Sequence, residues 1–158
     1  GAEYMIRKNE LKRYAASIGL RVIDGDYDHE KWKKAIHGFE LEPERGKRCQ
    51  ICFNYRLTET ARVAFEEKIE LFTTTLASSR WKDIEQINQA GLLAQERFPG
   101  TKYWNKNWRK GGLQQRRNEL LKIHGFYNQL YCGCEFSMRR LSPQSCELIL
   151  KQALPKEI

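Results

Sequence analysis

Sulfur is the reactive element most plainly placed in this chain. Cys49-Gln50-Ile51-Cys52 forms a CxxC pair, Cys132-Gly133-Cys134 forms a CxC pair, and Cys146 stands alone. Two sulfurs separated by two residues or one can converge on a single metal or on each other, the pattern of metal centres and dithiol redox sites. Arg45, Lys47, Arg48 and Arg56 surround the first pair, and neighbouring cations favour the thiolate that ligates or reacts. Gly133 gives the second pair the backbone freedom to bring its sulfurs together, either on a metal or in cycling between a dithiol and a readily reduced disulfide. Residue types alone leave structural zinc, an iron–sulfur cluster and a redox dithiol open. One four-cysteine zinc site built from all four is a further arrangement, across the 79 residues between the pairs. Cys146, near Leu148, Ile149 and Leu150, reads as a core thiol. His29, His37 and His124 fall near helix ends, where surface or capping roles are expected. Asp83 and Glu85 form no paired-carboxylate motif.

Around the second pair the chain is basic and aromatic. Between Thr101 and Arg140 lie nine Lys or Arg (Lys102, Lys106, Arg109, Lys110, Arg116, Arg117, Lys122, Arg139, Arg140) against Glu119 and Glu135, nearly the whole net charge of +8. Tyr103, Trp104, Trp108, Phe126, Tyr127 and Tyr131 are interleaved with them. Cations neutralise phosphates and rings stack on unpaired bases, so the mixture suits single-stranded or looped RNA. Arg109, Lys110, Arg116 and Arg117 are the candidate contacts.

With 158 residues, 41% hydrophobic and 30% charged, the chain has the size and composition of one α/β domain spanning 1–158, with the basic aromatic region 101–140 carrying the CxC. No apolar run approaches the roughly 20 residues of a membrane span, and no leader pattern is visible, so no membrane is expected as a partner. An odd cysteine count fits reduced thiols in a cytoplasm better than a disulfide framework. The opening Gly-Ala-Glu-Tyr-Met, without an initiator Met, is expected to be an expression scar or the start of a chain that has lost an upstream piece.

The elements follow from periodicity. Tyr4 to Ile18 reads as an amphipathic helix through Leu11, Tyr14, Ala15 and Ile18, stopped by Gly19. Leu20 to Ile23 reads as a strand. Asp26 or Asp28 should cap a helix through Trp32 and Ile36. A helix from near Cys49 should bury Leu57, Ala61, Ala64 and Phe65, placing both cysteines in or beside its first turn, where the dipole stabilises anions. Glu70 to Leu76 is the clearest strand. Ser78 or Ser79 should cap a helix burying Ile84, Ile87, Leu92, Leu93 and Phe98, making an anion-friendly junction. Tyr103 to Gly112 reads as a functional loop, Leu113 to His124 as a helix with Leu120, Leu121 and Ile123 inside, and Ser142 to Ala153 as a last helix. The alternation gives an α/β fold with a small, mainly parallel sheet flanked by helices, Rossmann-like.

Taken together, Arg48-Cys49-x-x-Cys52-Phe53-x-x-Arg56-Leu57-x-x-Thr60-Ala61, then Phe72-Thr73-Thr74-Thr75-Leu76, then Tyr131-Cys132-Gly133-Cys134-x-Phe136-Ser137 resemble, in order and spacing, the QueH-type epoxyqueuosine reductases. Glu3-Tyr4-x-x-Arg7-Lys8 looks like the segment after that family's first strand. The family has an adjacent Cys-Cys pair on that strand that these 158 residues lack, so a sheet without its first strand is expected. The Ser79-Arg80-Trp81 run and the Trp-rich loop after Trp104 look like subfamily variation. The resemblance implies a tRNA-modifying oxidoreductase that removes the epoxide oxygen of epoxyqueuosine to give queuosine. It implies that Cys49 and Cys52 ligate a [4Fe–4S] cluster. Cys132 and Cys134 would be the redox-active pair, or ligands to the cluster or to a second metal ion near Cys134. An electron donor and the tRNA anticodon loop are the partners implied. The alternative is a non-catalytic RNA-binding protein with a structural four-cysteine zinc site.

Overall fold

The computed structural model describes residues 2–138 and 142–153. They fall into two compact units, a central one of residues 28–114 and a terminal one from segments 1–27 and 115–158. The basic region 101–140 therefore begins in the central unit and continues into the terminal one.

In the central unit, Asp28 caps α2 (His29–Ala35) by accepting from the backbone N–H of Lys31 at 2.8 Å. Helix α3 (Lys47–Glu66) buries Phe53, Leu57, Ala61 and Ala64. Phe65, expected in that stripe, is 49% exposed: the buried face continues from Ala61 to Ala64, and Phe65 sits one step around the helix, against Phe98 at a ring separation of 6.0 Å. The chain leaves α3 through Lys68 in a left-handed conformation (φ 57°) and enters β1 (Leu71–Phe72). β1 pairs in parallel with β2 (Lys102–Tyr103), Leu71 opposite Lys102 and Phe72 opposite Tyr103. The expected strand over Glu70–Leu76 is thus two residues long. Thr74 ends it, because its hydroxyl accepts from the N–H of Leu76 at 3.2 Å and starts a 3-10 turn over Thr75–Ser78. Tyr103, expected to open the loop, instead ends β2, where the N–H of Lys102 donates to Glu70 O at 2.7 Å and that of Trp104 to Phe72 O at 2.8 Å.

Helix α4 (Ile84–Arg97) packs against α3 through Ile87, Ala90, Gly91 and Ala94, which are buried. Leu92 and Leu93, expected inside, are exposed. Small residues let the ring of Tyr103 lie directly on Gly91, where a Cβ would overlap it; the core is filled from the strand, not from the helix leucines. The cap is Asp83, not Ser78 or Ser79. Its Oδ1 accepts from Glu85 N at 2.8 Å and Gln86 N at 3.2 Å, so a carboxylate of the chain already takes the donors that an anion would have used.

In the terminal unit, α1 (Ala2–Ser17) buries Ala15 and Glu3, while Leu11 is exposed, as is Ile18 just beyond its end. Its face is therefore partly polar rather than the apolar stripe expected. Leu20 to Ile23 is irregular and exposed, without the strand anticipated; β-branched residues hold a strand only where a neighbour pairs with it. Lys8 and Lys12 anchor the segment by pairing with Asp24 at 2.8 and 2.6 Å. Helix α5 (Leu113–His124) follows the expected range, with Leu120 and Leu121 half-buried and Ile123 exposed. The ring of Phe126 meets Tyr14 edge-on at 4.9 Å. Short α6 (Glu135–Met138) follows the CxC, and α7 (Pro143–Ala153) contacts α1. Ile149 of α7 is buried and Cys146 is half-buried. Arg139 and Arg140 lie outside the described residues, as do the side chains of Leu148 and Leu150.

Candidate functional site

Gly46 caps α3, which places Cys49 in the first turn and Cys52 one turn on. Residues three apart share a helix face, so both half-buried sulfurs lie on one side of α3. Cys49 also packs against the apolar core. Its sulfur accepts a hydrogen bond from the backbone N–H of Arg45 at 3.2 Å. Arg45 can aim that N–H back because it adopts a left-handed conformation, φ 68°, a state uncommon for residues with a Cβ. Three contacts hold it there. Gln86 Nε2 donates to Arg45 O at 2.7 Å, and the guanidinium donates to Arg80 O at 3.2 Å and Trp81 O at 3.4 Å. Arg48, also expected to serve the thiolates as a neighbouring cation, is buried and donates to the carbonyls of Glu40 and Glu42. Its guanidinium pins the preceding loop.

These contacts locate the CxxC. A short turn joins α3 to β1, so the start of α3 lies at the end where the parallel strands finish, and the bonds from Arg45 to Arg80 and Trp81 tie it there. In parallel α/β sheets that edge is where ligands bind. From β1 the chain runs into residues 79–82, and from β2 into residues 104–110. Arg109 Nη1 joins these two segments by donating to Ser79 O at 3.3 Å. Lys82 is buried, its Nζ 3.4 Å from Ser79 Oγ. The Arg80 guanidinium lies 4.9 Å from the ring centre of Trp81, and Trp104 meets Trp108 edge-on at 5.3 Å.

The CxC lies in the terminal unit. Gly133 has φ 88°, and a Cβ on it would stand 2.7 Å from Arg7 Nη1 and 2.9 Å from Gln129 Nε2. The positive φ favours glycine there, and the Arg7 guanidinium and Gln129 amide lie where a Cβ would have to displace them. Behind it, Glu3 is 8% exposed. The Tyr127 hydroxyl donates to Glu3 Oε2 at 2.7 Å, and the Tyr127 N–H donates to Glu10 Oε1 at 2.8 Å. Glu3 Oε1 is buried with no hydrogen-bond partner among the described residues. Burial pushes the Tyr131 phenol up to about 12, with the Glu3 carboxylate adding to the shift and Arg7 opposing it. Burial and the bond to Glu3 raise Tyr127 likewise. The CxC thus adjoins the Arg7 guanidinium and the Tyr131 phenol, and Tyr131 in turn neighbours the Glu3–Tyr127 pair.

The candidate RNA contacts have distinct settings. Arg109 is half-buried and bound to Ser79, while Lys110 is exposed in the central unit. In the terminal unit Arg116 pairs with Glu119 at 3.1 Å, and Arg117 donates to the Oδ1 atoms of Asn118 and Asn128, each at 3.2 Å. All five cysteines are thiols rather than disulfides. Among the described residues no three His, Cys, Asp or Glu side chains gather as a metal-ligand set. Sequence reasoning missed the donor role of Arg45 and the Arg80–Trp81 pair. The signals were thin: a lone Arg between Glu44 and Gly46, and a Trp after the Thr-rich run.

A family model described as epoxyqueuosine reductase QueH matches residues 1–140. Among curated proteins, the epoxyqueuosine reductase QueH of Histophilus somni is 47% identical over 137 residues, covering 87% of this chain and 56% of the relative. That of Haemophilus influenzae is 46% identical with the same coverage, and that of Thermotoga maritima is 34% identical over 96% of this chain and 80% of its own length. The chain spans a little over half the length of the first two. With its cysteine motifs inside the matched residues, the chain belongs to the QueH epoxyqueuosine reductase family.

Proposed function

We propose that this chain acts on tRNA, reductively removing the epoxide oxygen of epoxyqueuosine to leave the alkene of queuosine. Both carbon–oxygen bonds of the epoxide break, two electrons and two protons enter, and the oxygen departs as water. Family membership supports the reaction. The observation that carries the site is the CxxC at the C-terminal edge of the parallel strands, with a backbone donor already aimed at Cys49.

Two thiols on one helix face fit two ligand positions of a [4Fe–4S] cluster, and an N–H directed at a ligating sulfur is the outer contact such clusters use. Cys49 and Cys52 would hold it, and the bound cluster would supply electrons singly from an external donor. Cys132 and Cys134 would act as the redox pair, giving two electrons as they pass from dithiol to disulfide, or would ligate a second metal near Cys134. Arg7, laid against Gly133, would stabilise negative charge on that pair, and the Tyr131 and Tyr127 phenols, still protonated at neutral pH, can hold protons beside it. Arg109, Lys110, Arg116 and Arg117 would supply charge for the tRNA backbone. Among the described residues no helix is long and apolar enough to cross a membrane; the cytoplasm is the setting this reading implies.

The test is iron, sulfide, zinc and visible absorption of anaerobically prepared protein, followed by turnover on epoxyqueuosine-containing tRNA. Iron with matching sulfide is expected, together with turnover lost in Cys132→Ala and Cys134→Ala while circular dichroism is unchanged. One zinc per chain without colour and without turnover would overturn the reading in favour of a structural site, whereas undiminished turnover in both variants would remove the redox role of Cys132 and Cys134.

A further inference from the structure

Trp104 is 45% exposed although its backbone is hydrogen-bonded on both sides. Its N–H donates to Phe72 O at 2.8 Å, and its carbonyl accepts from Thr73 Oγ1 at 3.0 Å. The exposure follows from strand register. Lys102 and, just past the end of β2, Trp104 are exposed, while Tyr103 between them takes the core position against Gly91. The indole is therefore presented outward by a fixed backbone and propped edge-on by Trp108, which packs on the core. A Thr or Lys would make the same backbone bonds, so those bonds do not account for an indole there.

The surroundings indicate what the ring is for. From Thr101 to Gly112 the chain carries Lys102, Lys106, Arg109 and Lys110 and no carboxylate. Arg109 joins this loop to the segment holding Arg80 over Trp81, a second cation-and-ring pair at the same sheet edge. Fixed rings interleaved with cations, at the C-terminal edge of parallel strands, make a platform for an unpaired base with its phosphates alongside.

We infer that Trp104 is a stacking site for an unpaired nucleobase of RNA, with Lys102, Lys106 and Lys110 carrying the adjoining phosphates. This rests on the tRNA reading above and gives it a contact point in residues other than the basic pair of α5. The site favours looped over duplex RNA, because the interior bases of a duplex have both faces covered by stacking whereas a splayed base offers a face to the ring.

The experiment measures the affinity of the protein for an unmodified anticodon stem-loop RNA and for a blunt duplex of the same stem, at several salt concentrations. The parent is expected to prefer the hairpin. Trp104→Ala should weaken hairpin binding roughly tenfold, leave duplex binding alone and keep the salt slope, whereas Trp104→Phe should recover part of the loss. Replacing Lys102, Lys106 and Lys110 together by Ala should instead flatten the salt slope on both RNAs. Hairpin affinity unchanged by Trp104→Ala, an equal loss on the duplex, or a parent without hairpin preference would each overturn the inference. The two readings fail separately. Turnover on tRNA with an unaltered KM in Trp104→Ala removes the stacking site and leaves the reductase, while a Trp104-dependent hairpin preference without turnover does the reverse.

Discussion

The two cysteine pairs sit in surroundings of opposite character. The CxxC rests on an apolar unit, in which Phe53, Leu57, Phe72, Leu76, Ile87 and Tyr103 form one buried cluster with Cys49 packed against it. The CxC rests on a polar one, where Glu3, Tyr127, Tyr131 and Arg7 occupy the places that apolar side chains would take. Apolar packing fixes a thiol's position without directing chemistry at it. Buried polar groups are costly unless paired, and once in place they act on whatever lies beside them. The difference matches the division of labour proposed: one pair held still as ligands, the other set among groups that move charge and protons.

This comparison can be broken by substitution. Ile87→Ala should cost about 2–5 kcal/mol, because the side chain is fully buried in the core cluster and its loss leaves a cavity; the loss is read from hydrogen exchange of the α3 and α4 amides. Tyr127→Phe strips the donor from buried Glu3 and should cost about 1.5–3 kcal/mol, confined to amides of α1 and of residues 126–131. A silent Tyr127→Phe would mean that the polar cluster does not hold the terminal unit together. Asp83→Ala removes the α4 cap and should cost about 1 kcal/mol, with Asp83→Asn nearly neutral. A further effect, confined to alkaline pH, is a pH dependence. Folded Tyr131 holds its proton to about 12, above the unfolded value near 10. Its contribution to stability is full below about 10 and lost as pH rises toward 12, because the folded state then binds more protons than the unfolded one. Tyr131→Phe should flatten that part of the curve for the terminal-unit amides in alkaline urea titrations.

Much of this was legible from residue order, and the failures have causes. The helices over 47–66 and 113–124 follow from apolar spacing, a signal that operates within one segment. β1 stopped early because the Thr74 hydroxyl satisfied a backbone N–H locally. β2 stayed hidden because a two-residue strand has no periodicity to show. On α4, Leu92 and Leu93 outranked Ala90 and Gly91 by hydrophobicity, but the face is chosen by what fits over Tyr103, a residue of another element. The cysteine motifs were visible at once. The N–H of Arg45 was not, since a backbone donor leaves no mark in the side-chain alphabet.

That donor also makes the segment before α3 intolerant of insertions and deletions. From Glu42 to Cys49 the chain closes on itself: Gly46 N–H donates to Pro43 O at 3.1 Å, Lys47 N–H to Glu42 Oε2 at 3.0 Å, and Arg45 N–H to Cys49 Sγ at 3.2 Å. Gly46 is so crowded by Glu42 and Pro43 that a Cβ there would overlap the Glu42 carboxylate. One residue added between Pro43 and Lys47 would leave α3, its core face and the CxxC spacing intact, yet carry the Arg45 N–H away from the sulfur. Among homologous chains, length in this stretch should therefore vary less than the identities of its exposed residues.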